Sequence, residues 1–191
     1  MARPLSDEKR KAILDAAARV FAERGIGAAP TAAISRAAGI AEGSLFTYFK
    51  TKDELINALY ADIKGEIAEA LLHGFPRHED VRTRFQHIWN SYVNWVVAHR
   101  ERHLALLQVE TSGKLTAQCV ASGAEAFAEV LRTAEEALSG GELRAAPLEF
   151  LSAMLQAQME ATIKLMEAHP GQAAEYRQLG FELLWNGVKG K

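Results

Sequence analysis

Apolar residues recur at every third or fourth position along most of the chain, and no stretch alternates apolar and polar residues as a half-buried strand does. The first apolar stripe predicts a helix of about seventeen residues. Ser6 and Asp7 are suited to cap its start, and Gly25 is suited to end it. The stripe consists of Ile13, Leu14, Ala17, Val20 and Phe21.

Two short helices are predicted next, over Thr31–Ala38 and Glu42–Phe49, with Gly39 between them. A corner between two helices needs a residue that tolerates positive φ, which glycine supplies. Thr51 and Glu54 have the spacing of a capping box, so a longer fourth helix is predicted to begin at Lys52. These helices make one compact module.

Helical periodicity continues to the end of the chain, which predicts an all-α fold of about nine helices joined by short connections. One predicted helix, Lys114–Leu138, is rich in alanine, and Pro147 is expected in the first turn of the helix after it, which runs to about Ala168. The other predicted helices are Val81–His99, which is rich in aromatic residues, Arg102–Glu110 and Gln172–Val188.

Composition excludes several classes of protein. No apolar run approaches the roughly eighteen residues of a membrane-spanning helix, and the N-terminus lacks the apolar core of a signal peptide, so a cytoplasmic location is expected. The single cysteine, Cys119, excludes an intrachain disulfide. Residues 1–52 carry nine basic and five acidic residues, whereas the whole chain has a net charge of −2. A basic N-terminal segment on an acidic remainder favours local binding of phosphate.

The segment AAGIAEGSLFTYF, residues 37–49, is either an ordinary helical corner or a helix-turn-helix that presents its second helix to DNA. Small side chains let the two backbones approach, while four apolar residues can pack inward: Ile34, Ile40, Leu45 and Phe49. The outward residues are then small or polar, as a helix in the major groove requires. They are Glu42, Gly43, Ser44, Thr47 and, at the edge, Tyr48.

The span ILDAAARVFAERG…PTAAISRAAGIAEGSLFTYFKTKDELINALY resembles the DNA-binding head of the tetracycline-repressor (TetR) family of bacterial transcription regulators. The resemblance covers about residues 10–60 and is specific, because many positions agree at fixed spacing. These positions are Ala16, Ala17, Phe21, Gly25, Ile34, Ala38, Gly39, Gly43, Leu45, Tyr48, Phe49, Lys52 and Leu55.

The resemblance implies a DNA-binding domain over residues 1–52 and an effector-binding and dimerisation domain over residues 53–191. It implies that Thr31, Tyr48 and Lys52 contact phosphates. Base contacts are then expected from Glu42, Gly43, Ser44 and Thr47. Arg3, Lys9 and Arg10 are further basic residues that could reach flanking DNA.

Three positions depart from the usual family pattern. Ala41 stands where the family commonly has the serine that caps the recognition helix, so a capping hydrogen bond of about 1 kcal/mol is expected to be missing. Ser35 and Phe46 occupy places where alanine and tyrosine are more common. Phe46 keeps the packing of tyrosine but lacks its hydroxyl group. None of these changes threatens the fold.

The last two helices are predicted to form a homodimer. Ala153, Ala157 and Ala161 recur every four residues, and the final helix is apolar around much of its surface. A purely intramolecular core is the alternative. A two-fold dimer with two reading heads would prefer double-stranded DNA with a roughly palindromic operator.

Polar residues among aromatic ones are typical of a small-molecule cavity, although for each residue taken alone a structural role is favoured over a ligand contact. An apolar or aromatic effector is expected. No cofactor and no metal are expected. His99 and His103 have metal-ligand spacing, but they straddle a predicted helix junction and lack a third ligand. Cys119 is expected to be a buried small residue, with redox sensing as the alternative. The candidate ligand-binding residues are Trp89, Tyr92, Trp95, Gln108, Gln118, Gln158 and Thr162.

No nucleophile next to a base and no carboxylate cluster is evident, so an enzyme is not predicted. The predicted function is a ligand-responsive transcriptional regulator, a repressor that a small-molecule effector releases from its operator. The alternative is a helical small-molecule-binding or adaptor protein whose head has lost DNA recognition.

Overall fold

A computed structural model describes residues 6–190 of the 191-residue chain, and Arg3 lies outside the described residues. Within that range the structure holds ten α-helices and no strand, which confirms the prediction of an all-α fold. The helices are α1 (Asp7–Arg24), α2 (Thr31–Ala37), α3 (Glu42–Tyr48), α4 (Lys52–Leu72), α5 (Val81–Ala98), α6 (Arg100–Thr111), α7 (Ala117–Glu125), α8 (Ala128–Ser139), α9 (Leu148–Ala168) and α10 (Ala173–Val188).

The predicted ends of α1 are confirmed. The Ser6 hydroxyl oxygen accepts a hydrogen bond from the Lys9 backbone N–H at 3.4 Å, and Gly25 ends the helix with a φ of 78°. Asp7 in the first turn and Arg24 in the last turn complement the helix dipole. The whole predicted apolar stripe is buried, so the sequence period and the buried face agree.

The start of α4 carries half of the predicted capping box. Thr51 Oγ1 accepts from the Glu54 backbone N–H at 3.0 Å. The Glu54 carboxylate accepts from the Lys50 backbone N–H at 2.7 Å, one residue before the position that the motif specifies. The first bond satisfies a backbone donor that the first turn of a helix leaves without an intrahelical partner, and the second ties the residue before the cap to the helix.

The chain forms two compact units. The first, here the head unit, runs to Ala68 and includes Val96–Ala126; the second, the body unit, comprises Glu69–Trp95 and the chain from Phe127 onward. The predicted domain boundary between residues 52 and 53 divides a DNA-binding part from an effector-binding part. It does not coincide with the division into compact units, and as a functional boundary it stays a prediction. In the head unit α1 packs on α2 and α6, and α2 packs on α3.

The body unit is built on the packing of α9 against α10. Trp89 is fully buried, and its ring lies 6.1 Å from that of Phe181 in a tilted arrangement. The Trp89 indole N–H donates to the Arg177 carbonyl oxygen at 3.1 Å, which satisfies the polar atom of a buried ring. A second apolar cluster centres on Val81, Ala137 and Leu143.

The prediction of a single helix over Lys114–Leu138 is wrong. Thr116 caps α7, its hydroxyl oxygen accepting from the Cys119 N–H at 3.2 Å, and α7 ends at Glu125. Phe127, with φ −99° and ψ 9°, then leaves helical geometry before α8 begins at Ala128. The break falls where the chain passes from the head unit to the body unit. It raises the number of helices to ten within residues 6–190, above the nine or so predicted.

Pro147 lies at the N-cap of α9, one position before the predicted first turn. A short 3-10 turn, Pro170–Gln172, separates α9 from α10. None of the helices within residues 6–190 is long and apolar enough to cross a membrane.

Candidate nucleic-acid interface

The corner between α2 and α3 has the geometry that its residues predict. Gly39 has a φ of 67°, which an L side chain rarely adopts, and so it makes the turn. Ile34, Leu45 and Phe49 are buried, as are Val20 and Phe21 of α1. The short helices α2 and α3 therefore share one apolar core with α1. The outer side of α3 does not contribute to this core.

The outer side of α3 presents small and polar groups. Glu42, Gly43 and Thr47 are exposed, and Ser44 is half-buried. Nothing lies within 4 Å of the position that a Cβ would occupy on Gly43, so this backbone can approach another molecule closely. The Thr47 hydroxyl donates to the Gly43 carbonyl oxygen at 3.3 Å, which orients it along the helix.

Neither α2 nor α3 has a side-chain cap at its start. Pro30 occupies the N-cap of α2, and Ala41 occupies that of α3, so the expected loss of the usual capping bond at Ala41 is confirmed. The Thr31 hydroxyl lies 3.5 Å from a Glu42 carboxylate oxygen, a distance at the limit for a hydrogen bond. This contact brings together one residue predicted to meet phosphate and one predicted to meet a base.

Tyr48 connects the end of α3 to the start of α1. Its hydroxyl oxygen accepts from the Ser6 backbone N–H at 3.2 Å, across 42 positions of sequence. The Arg10 guanidinium lies 5.5 Å from the centroid of the neighbouring Phe49 ring, within the range of a cation–π contact. The Tyr48 hydroxyl therefore has a structural partner in the free protein, and as an oxygen donor it can still give its proton to another acceptor.

Lys52, at the start of α4, reaches across the head. Its ammonium donates to the carbonyl oxygens of Ile26 at 2.5 Å and Ala29 at 2.6 Å, and it lies 5.9 Å from the centroid of the Phe21 ring. An ammonium group has three donors. Two of them hold the connection between α1 and α2, which leaves one for an external acceptor such as a phosphate oxygen.

A charge cluster joins α1 to α4 and α6 within the head unit. Buried Arg102 of α6 contacts Asp15 of α1 at 2.7 Å and Glu66 of α4 at 2.8 Å, and it also pairs with Asp62. Lys11 pairs with Glu66 at 2.5 Å and Asp62 at 3.2 Å. Burial lowers the pKa of Lys11, but its hydrogen bond to Glu66 and the two α4 carboxylates outweigh this and raise that pKa above its ordinary value.

The residues predicted to bind a ligand divide between the two units. In the body unit, Trp89 and Thr162 come together against Gly180 of α10, whereas Gln158 is half-buried one turn from Thr162. The Thr162 hydroxyl donates to the Gln158 carbonyl oxygen at 2.8 Å. Trp95 is buried and Tyr92 is half-buried. All five remain predictions as ligand contacts.

Two further candidates lie in the head unit. Gln118 is exposed on α7. Gln108 accepts a hydrogen bond from the Ile26 backbone N–H at 3.2 Å, so its side-chain oxygen already has a partner within the protein. The sequence signal, a polar residue on an apolar helix, does not distinguish a ligand contact from a bond to a distant backbone group.

An apolar cavity of about 40 Å³ lies in the body unit. This volume accommodates one or two water molecules and is far below that of a drug-sized ligand. None of the predicted ligand-binding residues lines it. The lining comprises Phe85, Ala134, Leu143, Leu148, Leu151, Ser152, Leu155, Leu184 and Val188.

The candidate metal ligands and the candidate redox cysteine occupy positions with a structural role. His99 is the N-cap of α6, as the predicted helix junction requires, and His103 is buried one turn later. No group of three or more His, Cys, Asp or Glu residues in the described part of the chain is placed to hold a metal ion. The Cys119 thiol donates to the Asn57 carbonyl oxygen at 3.3 Å, and burial raises its pKa, which disfavours the reactive thiolate.

In the head, α2 and α3 meet at the Gly39 corner, and the outer side of α3 is exposed. This arrangement is that of a helix-turn-helix protein. Residues 13–59 match the family model of the bacterial regulatory proteins of the tetR family. This match lies within the head, and it agrees with the resemblance of the head to the TetR family.

Similar proteins include one relative by sequence and several solved structures. The HTH-type transcriptional regulator YhgD of Bacillus subtilis is 30% identical over 81 residues, 40% of this chain and 42% of that protein, so the match spans less than half of the relative. The structure of a TetR family transcription regulator from Marinobacter aquaeolei has a TM-score of 0.84 at 23% identity, covering 97% of each chain. The regulator FadR from Bacillus subtilis in complex with stearoyl-CoA has a TM-score of 0.73 at 18% identity, covering 93% of this chain and 98% of that one. The two structures share the fold with this chain.

Proposed function

We propose that the protein is a transcriptional regulator that binds double-stranded DNA through α3 and represses transcription until a small-molecule effector releases it. The observation that carries this proposal is the exposed, sterically open face of α3, formed by Glu42, Gly43 and Thr47. It belongs to the segment that matches the tetR family model. A helix with such a face enters the major groove and reads base edges there.

The phosphate contacts are assigned to Thr31, Tyr48 and Lys52. They lie at the start of α2, the end of α3 and the start of α4, on either side of the reading helix. The N-terminal segment of residues 1–52 carries four more basic than acidic residues, which favours this polyanion. The free third donor of Lys52 makes it the strongest phosphate candidate of the three.

The regulator is proposed to act as a homodimer through α9 and α10. Large apolar side chains are exposed on both helices, and on α9 they follow helical spacing with the small residues Ala157 and Ala161 between them. Exposed apolar faces of this kind mark protein interfaces. The face, here the α9/α10 face, consists of Phe150, Met154, Leu165, Leu179 and Leu183. A second copy of the same face would give a two-fold four-helix interface.

The effector is proposed to be a mainly apolar small molecule that binds the body. The 40 Å³ cavity is too small for such a ligand, and binding there requires a state in which the helices around it have separated. A ligand that prefers this opened state shifts the population towards it and away from the state that binds DNA. A long-chain acyl-CoA is the first compound to test, because FadR, which shares the fold, was solved with stearoyl-CoA.

Lys52→Met is expected to weaken operator binding by roughly tenfold and to lower the slope of log affinity against log salt concentration by about 1, because one phosphate contact is lost. The measurement is fluorescence anisotropy with an operator fragment at several salt concentrations. Lys189→Met removes the same charge from an exposed position outside the head, and it should leave both affinity and slope unchanged.

An unchanged slope in Lys52→Met would contradict the phosphate contact. Binding that neither weakens with salt nor needs Lys52 would favour the alternative function, a helical ligand-binding or adaptor protein. Circular dichroism of both variants checks that the helical content is preserved, because Lys52 also holds two backbone carbonyls.

A further inference from the structure

The connection between α1 and α2, residues 25–30, depends on side chains for part of its hydrogen bonding. Backbone bonds run from Gly25 N–H to the Phe21 carbonyl at 2.9 Å and from Ala29 N–H to the Gly25 carbonyl at 3.1 Å, and the Pro30 carbonyl accepts from Ala33 N–H at 3.0 Å. The N–H and carbonyl of Ile26 and the carbonyl of Ala29 bond to side chains instead. The conformation of this connection therefore depends on those side chains.

Gln108 of α6 and Lys52 of α4 are the two side chains concerned. Gln108 Oε1 accepts from the Ile26 N–H at 3.2 Å, and the Lys52 ammonium donates to the Ile26 carbonyl at 2.5 Å and the Ala29 carbonyl at 2.6 Å. Ile26 is thus held at its N–H by one helix and at its carbonyl by another. All of these groups belong to the head unit.

The Gln108 side chain is well placed to fix the connection. Its helix neighbours Ala105 and Val109 are fully buried, so the backbone that carries it is held by packing. A Cβ added to Gly25 would lie 3.7 Å from its oxygen, so the side chain lies close to the start of the connection. On the same helix, Arg102 pairs with carboxylates of α1 and α4. Two side chains, Gln108 and Arg102, therefore bind α6 to the rest of the head unit.

We infer that Gln108 is a positioning residue for DNA binding. By accepting from Ile26, it fixes the α1–α2 connection, and through the Ile26 carbonyl it fixes the ammonium of Lys52 and the adjoining start of α2 at Thr31. The inference rests on the proposed function of the head. It assigns Gln108 a role towards DNA in place of the predicted contact with an effector, although Gln108 itself does not touch DNA.

The test uses three variants of the full chain. Gln108→Met keeps the length of the side chain but lacks the acceptor, and Gln108→Glu keeps an acceptor for the Ile26 N–H. Gln172→Met makes the same change at an exposed glutamine outside the head unit. Hydrogen exchange of the Ile26 amide is measured by NMR without DNA. Operator affinity is measured by anisotropy on a fragment selected with the wild-type protein.

In Gln108→Met, exchange of the Ile26 amide is expected to accelerate by roughly fivefold, as for the loss of one net hydrogen bond, and operator affinity to fall by a similar factor. Gln108→Glu should stay within about twofold of wild type, because its carboxylate accepts from the same N–H. Gln172→Met should match wild type in both measurements. Rescue by glutamate separates positioning from packing, which both substitutions at residue 108 disturb.

Wild-type operator affinity in Gln108→Met would overturn the inference, and so would equal losses in Gln108→Met and Gln108→Glu. These outcomes leave the proposed function intact, since the wild-type protein still binds DNA. If the wild-type protein selects no DNA fragment, the proposed function fails, and the role of Gln108 in DNA binding fails with it. The exchange measurement would then report only a structural bond to Ile26.

Discussion

Leu183→Glu is expected to convert the dimer into a monomer at micromolar concentration and to remove most operator binding. Leu183 is 60% exposed on α10, and in the proposed dimer it is buried against a second copy. Loss of about 1.5 kcal/mol of apolar burial from each protomer amounts to about 3 kcal/mol per dimer, or roughly a hundredfold in the dissociation constant. The buried carboxylates weaken the dimer further.

Sedimentation equilibrium over a range of concentrations measures the dimer constant. The matched control is Val97→Glu, since Val97 is an apolar residue of α5 that is 65% exposed and lies outside the α9/α10 face. This variant should remain a dimer. If Leu183→Glu and Val97→Glu dissociate equally, or if neither dissociates, the α9/α10 face is not the interface.

Gly180→Ala is expected to destabilise the body unit by about 3 kcal/mol. A Cβ on Gly180 would lie 2.8 Å from Trp89 Cζ2 and closer still to Thr162 Oγ1. Real Cβ atoms do not approach so closely, and the fully buried Trp89 ring cannot move without disturbing its packing against Phe181 of α10. The penalty is therefore steric, and it outweighs the greater helix propensity of alanine, which is worth about 1 kcal/mol.

Urea unfolding followed by tryptophan fluorescence measures this loss, because Trp89, Trp95 and Trp185 all lie in the body unit. Thr162→Ala in the Gly180→Ala background should recover part of the stability, since it removes the nearest clashing atoms. Gly65→Ala is the control: Gly65 lies within α4 with nothing within 4 Å of its Cβ position, so helix stability monitored by circular dichroism should rise. Wild-type stability in Gly180→Ala would show that α9 and α10 do not approach so closely.

Local features of the fold were predictable from the sequence because their causes are local. Ser6 and Gly25 bound α1 through bonds to residues within one turn, and Gly39 makes the α2–α3 corner through its own φ. The buried stripe of α1 follows from the helical period alone. The break between α7 and α8 could not be predicted, because an alanine-rich segment favours a continuous helix and the interruption at Phe127 coincides with the passage between units.

The long-range contacts of the candidate site could not be predicted from the sequence. Gln108 bonds to Ile26 across 82 positions, and Lys52 bonds to carbonyls more than twenty positions earlier. Periodicity shows which residues share a helical face, but it does not show which distant backbone group lacks a partner. A polar residue on an apolar helix therefore suggested an effector contact at Gln108, whereas the structure places its oxygen on the backbone of the head.

Selection of genomic DNA fragments on the full-length protein, followed by footprinting of the enriched fragment, tests DNA recognition most directly. We expect one roughly palindromic site with two half-sites about one helical turn or slightly more apart, occupied by two protomers. Its affinity should fall steeply as salt concentration rises. No enrichment over a protein-free control, or an affinity indifferent to salt, would contradict a regulator that reads DNA through α3.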